Sequence, residues 1–362
     1  MLRGKLMSVS VIIPVFNTLY EDLIRCLDSI IAQTIPNFEI IIVDDGSEPA
    51  YGKILDTLEA KDSRIKVFHK NNEGVSVARN FGVEKSTGEY ILFVDGDDLL
   101  TPWLLESALT TMEKEKCDVV VGKIKTTNER PNKFPSRTEY VKFELLDSSS
   151  KREELECHIF AKNCDRWKID QEGWEFNGEG CWAHFLKREV AVENKFIPGI
   201  AVGEDTIWAL RMLSGSKKYR IGMLYEKWYY YIQNDYSVLN KYNPRIVEQL
   251  TMPVEILDRE YGFRTGKVYD SYTDWILMKL KQICYRAYLA EENTDSFRKK
   301  TKDLSMVIHK TPWNIILSRV EEKPFKKKIK FLLYKNNIML YAYVIVKKYR
   351  EIQRKKQSRS EK

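Results

Sequence analysis

A chain of 362 residues can bury a substantial core without staples and holds one large domain with an appendage, or two domains. Its six cysteines (Cys26, Cys117, Cys157, Cys164, Cys181, Cys284) form no CxxC pair and no metal-ligand spacing, which excludes a zinc module and suits reduced thiols in the cytoplasm. The net charge of +7 is concentrated at one end: Lys323 to Lys362 carries 14 Lys and Arg against two Glu, so the rest of the chain stands at about −5 and a nucleic-acid-binding body is not indicated.

In chain order, Val9 to Val15 is a short apolar run that ends in no cleavage site, so no signal peptide is expected. The run Ser8-Val-Ser-Val-Ile-Ile-Pro-Val15 is rich in β-branched residues and suits a strand buried on both faces of a parallel sheet. Leu23, Leu27, Ile30 and Ile31 recur at helical spacing. Phe38 to Val43 is a second strand ending in Asp44-Asp-Gly-Ser47. A helical stretch is predicted over about 53–60, a third strand over Ile65–Phe68, and a helix over about 75–85. Tyr90 to Val94 forms a fourth strand closing on Asp95-Gly-Asp-Asp98, Pro102 suits the first turn of the next helix, and Asp118 to Val121 is a fifth strand.

Strands alternating with helices predict a doubly wound, mostly parallel α/β sheet, and ligands of such sheets bind at the carboxyl ends of the strands. Asn17, Asp44, Asp45, Asp95, Asp97 and Asp98 all fall at those ends. There is no GxGxxG after the first strand and no GxxxxGK[ST] anywhere, so a bound diphosphate would have to be held through a cation on carboxylates. Mg²⁺ or Mn²⁺ fits hard oxygen ligands and phosphate.

The words Val9-Ser-Val-Ile-Ile-Pro-Val-Phe-Asn17, Ser29-Ile-Ile-Ala-Gln-Thr34, Phe38 to Ser47, Asn72-Glu-Gly-Val-Ser-Val-Ala-Arg-Asn80 and Gly88 to Asp98 occur in one order over about residues 8–122. Together they resemble the glycosyltransferases of family 2, which have the GT-A fold. The resemblance implies that Asp45 contacts the base of a nucleotide sugar, that Pro14 and Asn17 line its pocket, and that Arg79 lies near the nucleotide. Asp95 would sit near ribose and metal, and Asp97 would ligate the metal. Read from the residues alone, Asp44-Asp-Gly-Ser47 is also a good turn, Arg79 also a partner for a surface acid, and Asp98 is assigned to capping the helix near Pro102.

A looser block follows: Cys181-Trp-Ala-His-Phe-Leu-Lys-Arg188, Gly203-Glu-Asp205, and Trp228 to Asp235 with Ser237. The resemblance makes Asp205 the general base, with Glu204 and Trp182 at the nucleotide-sugar pocket. An inverting transfer needs one base for the acceptor hydroxyl proton, and Asp205 suits that need. Asp205 or Glu204 also fits an acid in the first turn of a helix, and His184 reads as a packed residue. Asn163-Cys-Asp-Arg-Trp167 lacks the glutamine of the processive synthases' QxxRW and precedes the acidic pair, so a single-addition enzyme is expected. The rival readings are a sugar nucleotidyltransferase and an inactive glycan- or nucleotide-binding protein.

The division expected is a catalytic domain over 1–240, a mainly helical region over 241–322 and a basic amphipathic tail over 323–362. The apolar stretch Ile338 to Val346 is nine residues, too short to span a membrane. Flanking lysines suit a helix lying on an anionic membrane surface. The expected setting is the cytoplasm, at the inner face of the cell membrane. The expected partners are a nucleotide-sugar donor carrying UDP and a glycan or lipid-linked saccharide acceptor.

Overall fold

The apolar runs of the first hundred residues form a parallel sheet: β1 (Val9–Val15), β2 (Phe38–Asp45), β3 (Ile65–Lys70) and β4 (Tyr90–Phe93), side by side as β3-β2-β1-β4. The computed structural model describes residues 8–131, 133–137, 140–162, 167–176, 178–215, 218–233, 242–319, 325–336 and 338–345. Residues 163–166, Asn234, Asp235 and Ser237 of the sequence motifs lie outside the described residues, as do 323–324, 337 and 346–362 of the tail. Two units divide the chain, Met1–Asn234 and Asp235–Lys362.

In the first unit, Val9, Val11, Ile12 and Ile13 of β1 and Ile40 to Val43 of β2 are fully buried. Each such side chain contributes about 1.5–3 kcal/mol of transfer free energy, which fixes the register of the central strands. Helix α1 (Tyr20–Ile31) buries Leu23, Cys26, Leu27 and Ile30 on the predicted face. Helix α2 (Pro49–Asp56) starts before the predicted stretch, because Pro49 at its first position is already set to helical φ. Helix α3 (Val75–Lys85) lies where the pattern places it.

Beyond β4 come β5 (Leu99–Leu100), α4 (Leu104–Glu115), β6 (Val119–Thr127), β7 (Phe143–Leu145), α5 (Ser149–Ala161), β8 (Trp174–Glu175), β9 (His184–Lys187), α6 (Arg188–Glu193), α7 (Glu204–Ser214) and β10 (Ile221–Ile232). Pro102 lies ahead of α4, in a turn where the Leu104 amide bonds the Thr101 carbonyl. The sheet continues β4-β9-β6-β10-β5, and β9 runs antiparallel to both of its neighbours. The sheet is therefore mixed and mostly parallel. The reversal at β9 is what brings the residues before it to the carboxyl end of β4.

The second unit is helical: α8 (Ile246–Tyr261), α9 (Gly266–Ile283) running into a π turn at Cys284–Tyr288, α10 (Phe297–Ile308), α11 (Trp313–Ser318) and α12 (Phe325–Lys335). Its polar anchor is Asp258, which accepts from Tyr272 Oη at 2.8 Å and from both terminal nitrogens of Arg319 at 2.7 and 3.1 Å. No described helix is long and apolar enough to cross a membrane. Among the described residues five cysteines are buried and form no disulfide.

Candidate active site

The loop after β2 turns at Gly46, with φ of +78°, where a side chain would also put a Cβ 2.5 Å from the Asn72 amide nitrogen. Asn17 follows β1 in the left-handed region, which asparagine tolerates. Its amide donates to Ser47 Oγ at 2.9 Å and its Oδ1 accepts from the Glu48 amide at 3.0 Å. Pro14, opposite Val43 in the ladder, is half-buried beside this loop. Asp45 is buried. Its Oδ1 accepts from Lys70 Nζ at 2.8 Å and the Glu73 amide at 3.0 Å, and its Oδ2 from the Gly74 amide at 2.8 Å. A carboxylate has about four acceptor positions, so Asp45 anchors the start of α3 and retains capacity for one further donor.

At the end of β4 the acids are joined to the second half of the unit. Asp95 Oδ1 accepts from Arg79 Nη2 at 2.9 Å and Oδ2 from Trp182 Nε1 at 3.0 Å. Arg79 also donates through Nη1 to Glu204 Oε1 at 3.0 Å, and its guanidinium lies over the Phe196 ring. The arginine is buried, so its partners are acids of the site and the surface-acid reading does not apply. Trp182 reaches Asp95 because β9 runs antiparallel to β4 and because Ala183 takes a left-handed φ of +58°. The indole stacks on Tyr231 and Tyr229, at centroid distances of 5.0 and 6.0 Å.

Asp98 does not cap the following helix; α4 begins at Leu104 without a side-chain cap. Instead it is fully buried, accepting from Tyr229 Oη at 2.6 Å and from the Ile232 amide at 2.8 Å. Tyr229 Oη in turn accepts from the Asp95 amide at 3.2 Å. Burial, then Asp97 and Asp95, push the Asp98 carboxyl well up. Burial, followed by Asp98, Asp97 and Asp95, pushes the Cys26 thiol up as well. The turn is a focus of negative potential, which repels further anions and attracts a cation.

Asp97 is half-buried on this turn. Among the described residues no set of three or more His, Cys, Asp or Glu side chains forms a metal cage. Magnesium is commonly held by one or two carboxylates together with substrate phosphates and water, so Asp97, with Asp95 beside it, fits an ion shared with a diphosphate.

Gly203, with φ of +85°, turns the chain into α7, and Glu204 and Asp205 occupy its first two positions. Asp205 Oδ1 accepts from the Thr206 amide at 2.7 Å. Burial, and then the charge of Glu204, push its carboxyl up to about 8, against the pull of Arg79. A carboxyl in that range exchanges a proton near neutral pH and can accept one whenever it is deprotonated. The Tyr231 hydroxyl is pushed up by burial and then by Asp98, Asp95, Asp97 and Asp205, so both acidic sets act on one side chain. His184 is buried and takes no such role: burial holds its imidazole down to about 4, beside the Trp182 carbonyl.

Arg79, Asp95, Trp182 and Glu204 are thus in direct contact, and Asp97 and Asp205 flank them. Pro14, Asn17 and Asp45 sit at neighbouring strand ends; Asn17 is bonded to the loop after β2, and Asp45 to Lys70 and the turn before α3. Sequence reasoning missed Lys70 and Tyr229. The parallel register that sets Lys70 opposite Asp45 would have found the lysine. Tyr229 and Tyr231 share a face by alternation, but nothing local ties that face to Asp95.

The family model described as Glycosyl transferase family 2 matches residues 10–169. GlyG of Streptococcus pneumoniae, a glycosyltransferase, is 36% identical over 127 residues, 35% of this chain and 42% of that protein. EpsJ of Bacillus subtilis, an uncharacterized glycosyltransferase, is 37% identical over 36% of this chain and 38% of its own length. The chain thus spans less than half the length of these relatives. YibD of Escherichia coli, also an uncharacterized glycosyltransferase, is 26% identical over 77% of this chain and 78% of its own. The crystal structure of S. aureus TarS 1–349 in complex with UDP-GlcNAc superposes with a TM-score of 0.59 at 17% identity, over 93% of this chain and 92% of that one.

Proposed function

We propose, from the premise that residues 10–169 form a glycosyltransferase family 2 domain, that the chain transfers a sugar from a UDP-sugar to a glycan or lipid-linked saccharide of the cell surface, with inversion. The observation that carries the reading is the Arg79 bridge. It ties the strand-end acid Asp95 to Glu204, and so sets Asp205 beside the donor-binding acids. Asp205 takes the proton from the acceptor hydroxyl as that oxygen attacks the anomeric carbon. Asp45, Asn17 and Pro14 hold the uridine end, and Trp182 closes the wall over Asp95. A Mn²⁺ or Mg²⁺ ion on Asp97 and Asp95 would supply positive charge to the leaving diphosphate. The UDP and UDP-GlcNAc named in the TarS structures support UDP as the nucleotide. The lysine-rich C-terminal region would keep the enzyme at the anionic inner face of the cell membrane, near a lipid-linked acceptor.

A panel of UDP-sugars, assayed for transfer, hydrolysis and thermal shift with and without Mn²⁺, tests the reading. We expect UDP to raise the melting temperature only with metal, and Asp97→Ala to remove that shift. A metal-independent shift of the same size would sink the site as drawn.

A further inference from the structure

We infer that α12, the helical segment after it and the start of α10 form one surface that docks on an anionic lipid membrane. The inference rests on the membrane reading above and names the surface that carries it.

Helix α12 buries Phe331 and Tyr334, and the helical segment at 339–345 buries Met339 and Leu340. The two are joined by Tyr334 Oη and Tyr343 Oη at 2.8 Å, and Tyr343 packs on Tyr285. Each helix has therefore used one face on its own unit. A second apolar stripe stays on the surface of each: Ile329 and Leu332 on the first, and Ile338, Tyr341 and Ile345, at helical spacing, leading into and along the second. Ile345 is 67% exposed. A solvated terminal helix would carry acids and short polar residues there. Residues 325–345 instead hold five lysines and no Asp or Glu.

Lys327 is occupied, 2.9 Å from Asp274. Lys330 and Lys335 are exposed on α12, and Lys328 is half-buried. The Tyr341 ring meets Phe297 at 4.8 Å, which brings in the start of α10 and its exposed Arg298 and Lys302. Of the nearby acids Asp295 is paired with Lys299 at 2.8 Å, Asp303 is half-buried, and Glu291 and Glu292 stay on the preceding loop.

Aliphatic stripes interleaved with lysines match a lipid headgroup boundary, where lysine stems lie along apolar surface and the ammonium groups meet phosphate. Protein interfaces have the opposite signature, because lysine is depleted at their cores. A lipid surface is therefore favoured over a second copy of the chain.

The test uses the full chain and co-sedimentation with vesicles of phosphatidylglycerol and phosphatidylcholine, against phosphatidylcholine alone. We expect binding to the anionic vesicles only. Lys330→Ser with Lys335→Ser should weaken it about 25-fold, about fivefold per lysine. Leu332→Asp with Ile345→Asp should abolish it, while Met252→Asp, an exposed apolar position on α8, should leave it unchanged. Each variant is checked for the UDP–Mn²⁺ thermal shift, so that loss of vesicle binding in a folded protein is separable from misfolding. Unchanged binding by both double variants would overturn the surface, as would wild-type dimers in light scattering that the same substitutions dissolve. If wild type shows no UDP–Mn²⁺ shift, the transfer reading fails by itself; folding is then read from the melting curve, and the vesicle result still decides the docking surface.

Discussion

The Asp95–Asp98 turn and the Glu204–Asp205 pair are both acidic, lie in one site and share Arg79, yet their charges are held in different ways. Around the turn, Asp95 has one oxygen on a guanidinium and the other on an indole, and Asp98 is sealed by a tyrosine hydroxyl and a backbone amide. Asp205 has a bond from its own neighbour Thr206 and is pushed up to about 8 by burial and by Glu204. On the function proposed above, the first set keeps its geometry while a cation and a diphosphate come and go. On the same proposal, the second changes protonation. One arginine with a hydrogen bond to each set lets them coexist, since carboxylates this close would otherwise repel one another.

The comparison breaks first at Asp205. Asp205→Asn keeps the shape and removes the proposed base, so turnover should fall by about 10²- to 10⁴-fold. The UDP–Mn²⁺ thermal shift, which belongs to the turn, should persist. Turnover within tenfold of wild type would move proton removal elsewhere; loss of the shift would mean that the two sets do not divide the work.

Half of this arrangement is legible before any coordinates. β1 to β4 are short β-branched runs whose acids follow the last buried residue, so local pattern and the strand-end rule suffice for Asn17, Asp45, Asp95 and Asp97. The rest depends on pairings between distant segments. Nothing near Asp98 says that its partners are Tyr229 and Ile232, more than a hundred residues on, and a helix cap is the natural local reading. Arg79 offers a positive charge without an address. Trp182 reaches Asp95 only because β9 reverses the sheet direction, which a βαβ pattern does not foretell. Turn and loop chemistry explains the smaller differences, as with Pro49 advancing the start of α2.

Tyr229 sharpens the comparison with a smaller effect. Its hydroxyl serves Asp98 and the Asp95 amide, whereas Tyr230, on the other face of β10, packs against Trp174 and Phe134. Tyr229→Phe removes a hydrogen bond to a buried carboxyl, a loss of about 1.5–3 kcal/mol. The melting temperature should drop by several degrees, and the Mn²⁺ concentration that gives half of the UDP shift should rise by about tenfold. Tyr230→Phe should alter neither by much. Equal effects from the two would mean that the strand, and not the hydroxyl, holds the turn.

The mildest test is pH. As the proposed base, Asp205 acts only when deprotonated, and its folded-state value is raised, so kcat/KM should climb with pH through a midpoint of about 8 and then level off. At pH 7 it should stand at about one-tenth of the plateau. Glu204→Gln removes the charge that helps to raise Asp205 and leaves Arg79 less neutralised, and both effects favour the carboxylate. The rising limb should therefore move to lower pH, with the plateau kept if the substituted amide oxygen still accepts from Arg79. A limb that stayed in place would show that burial alone sets the value and that Glu204 contributes shape without charge, and one that moved to higher pH would overturn the assignment of the limb to Asp205.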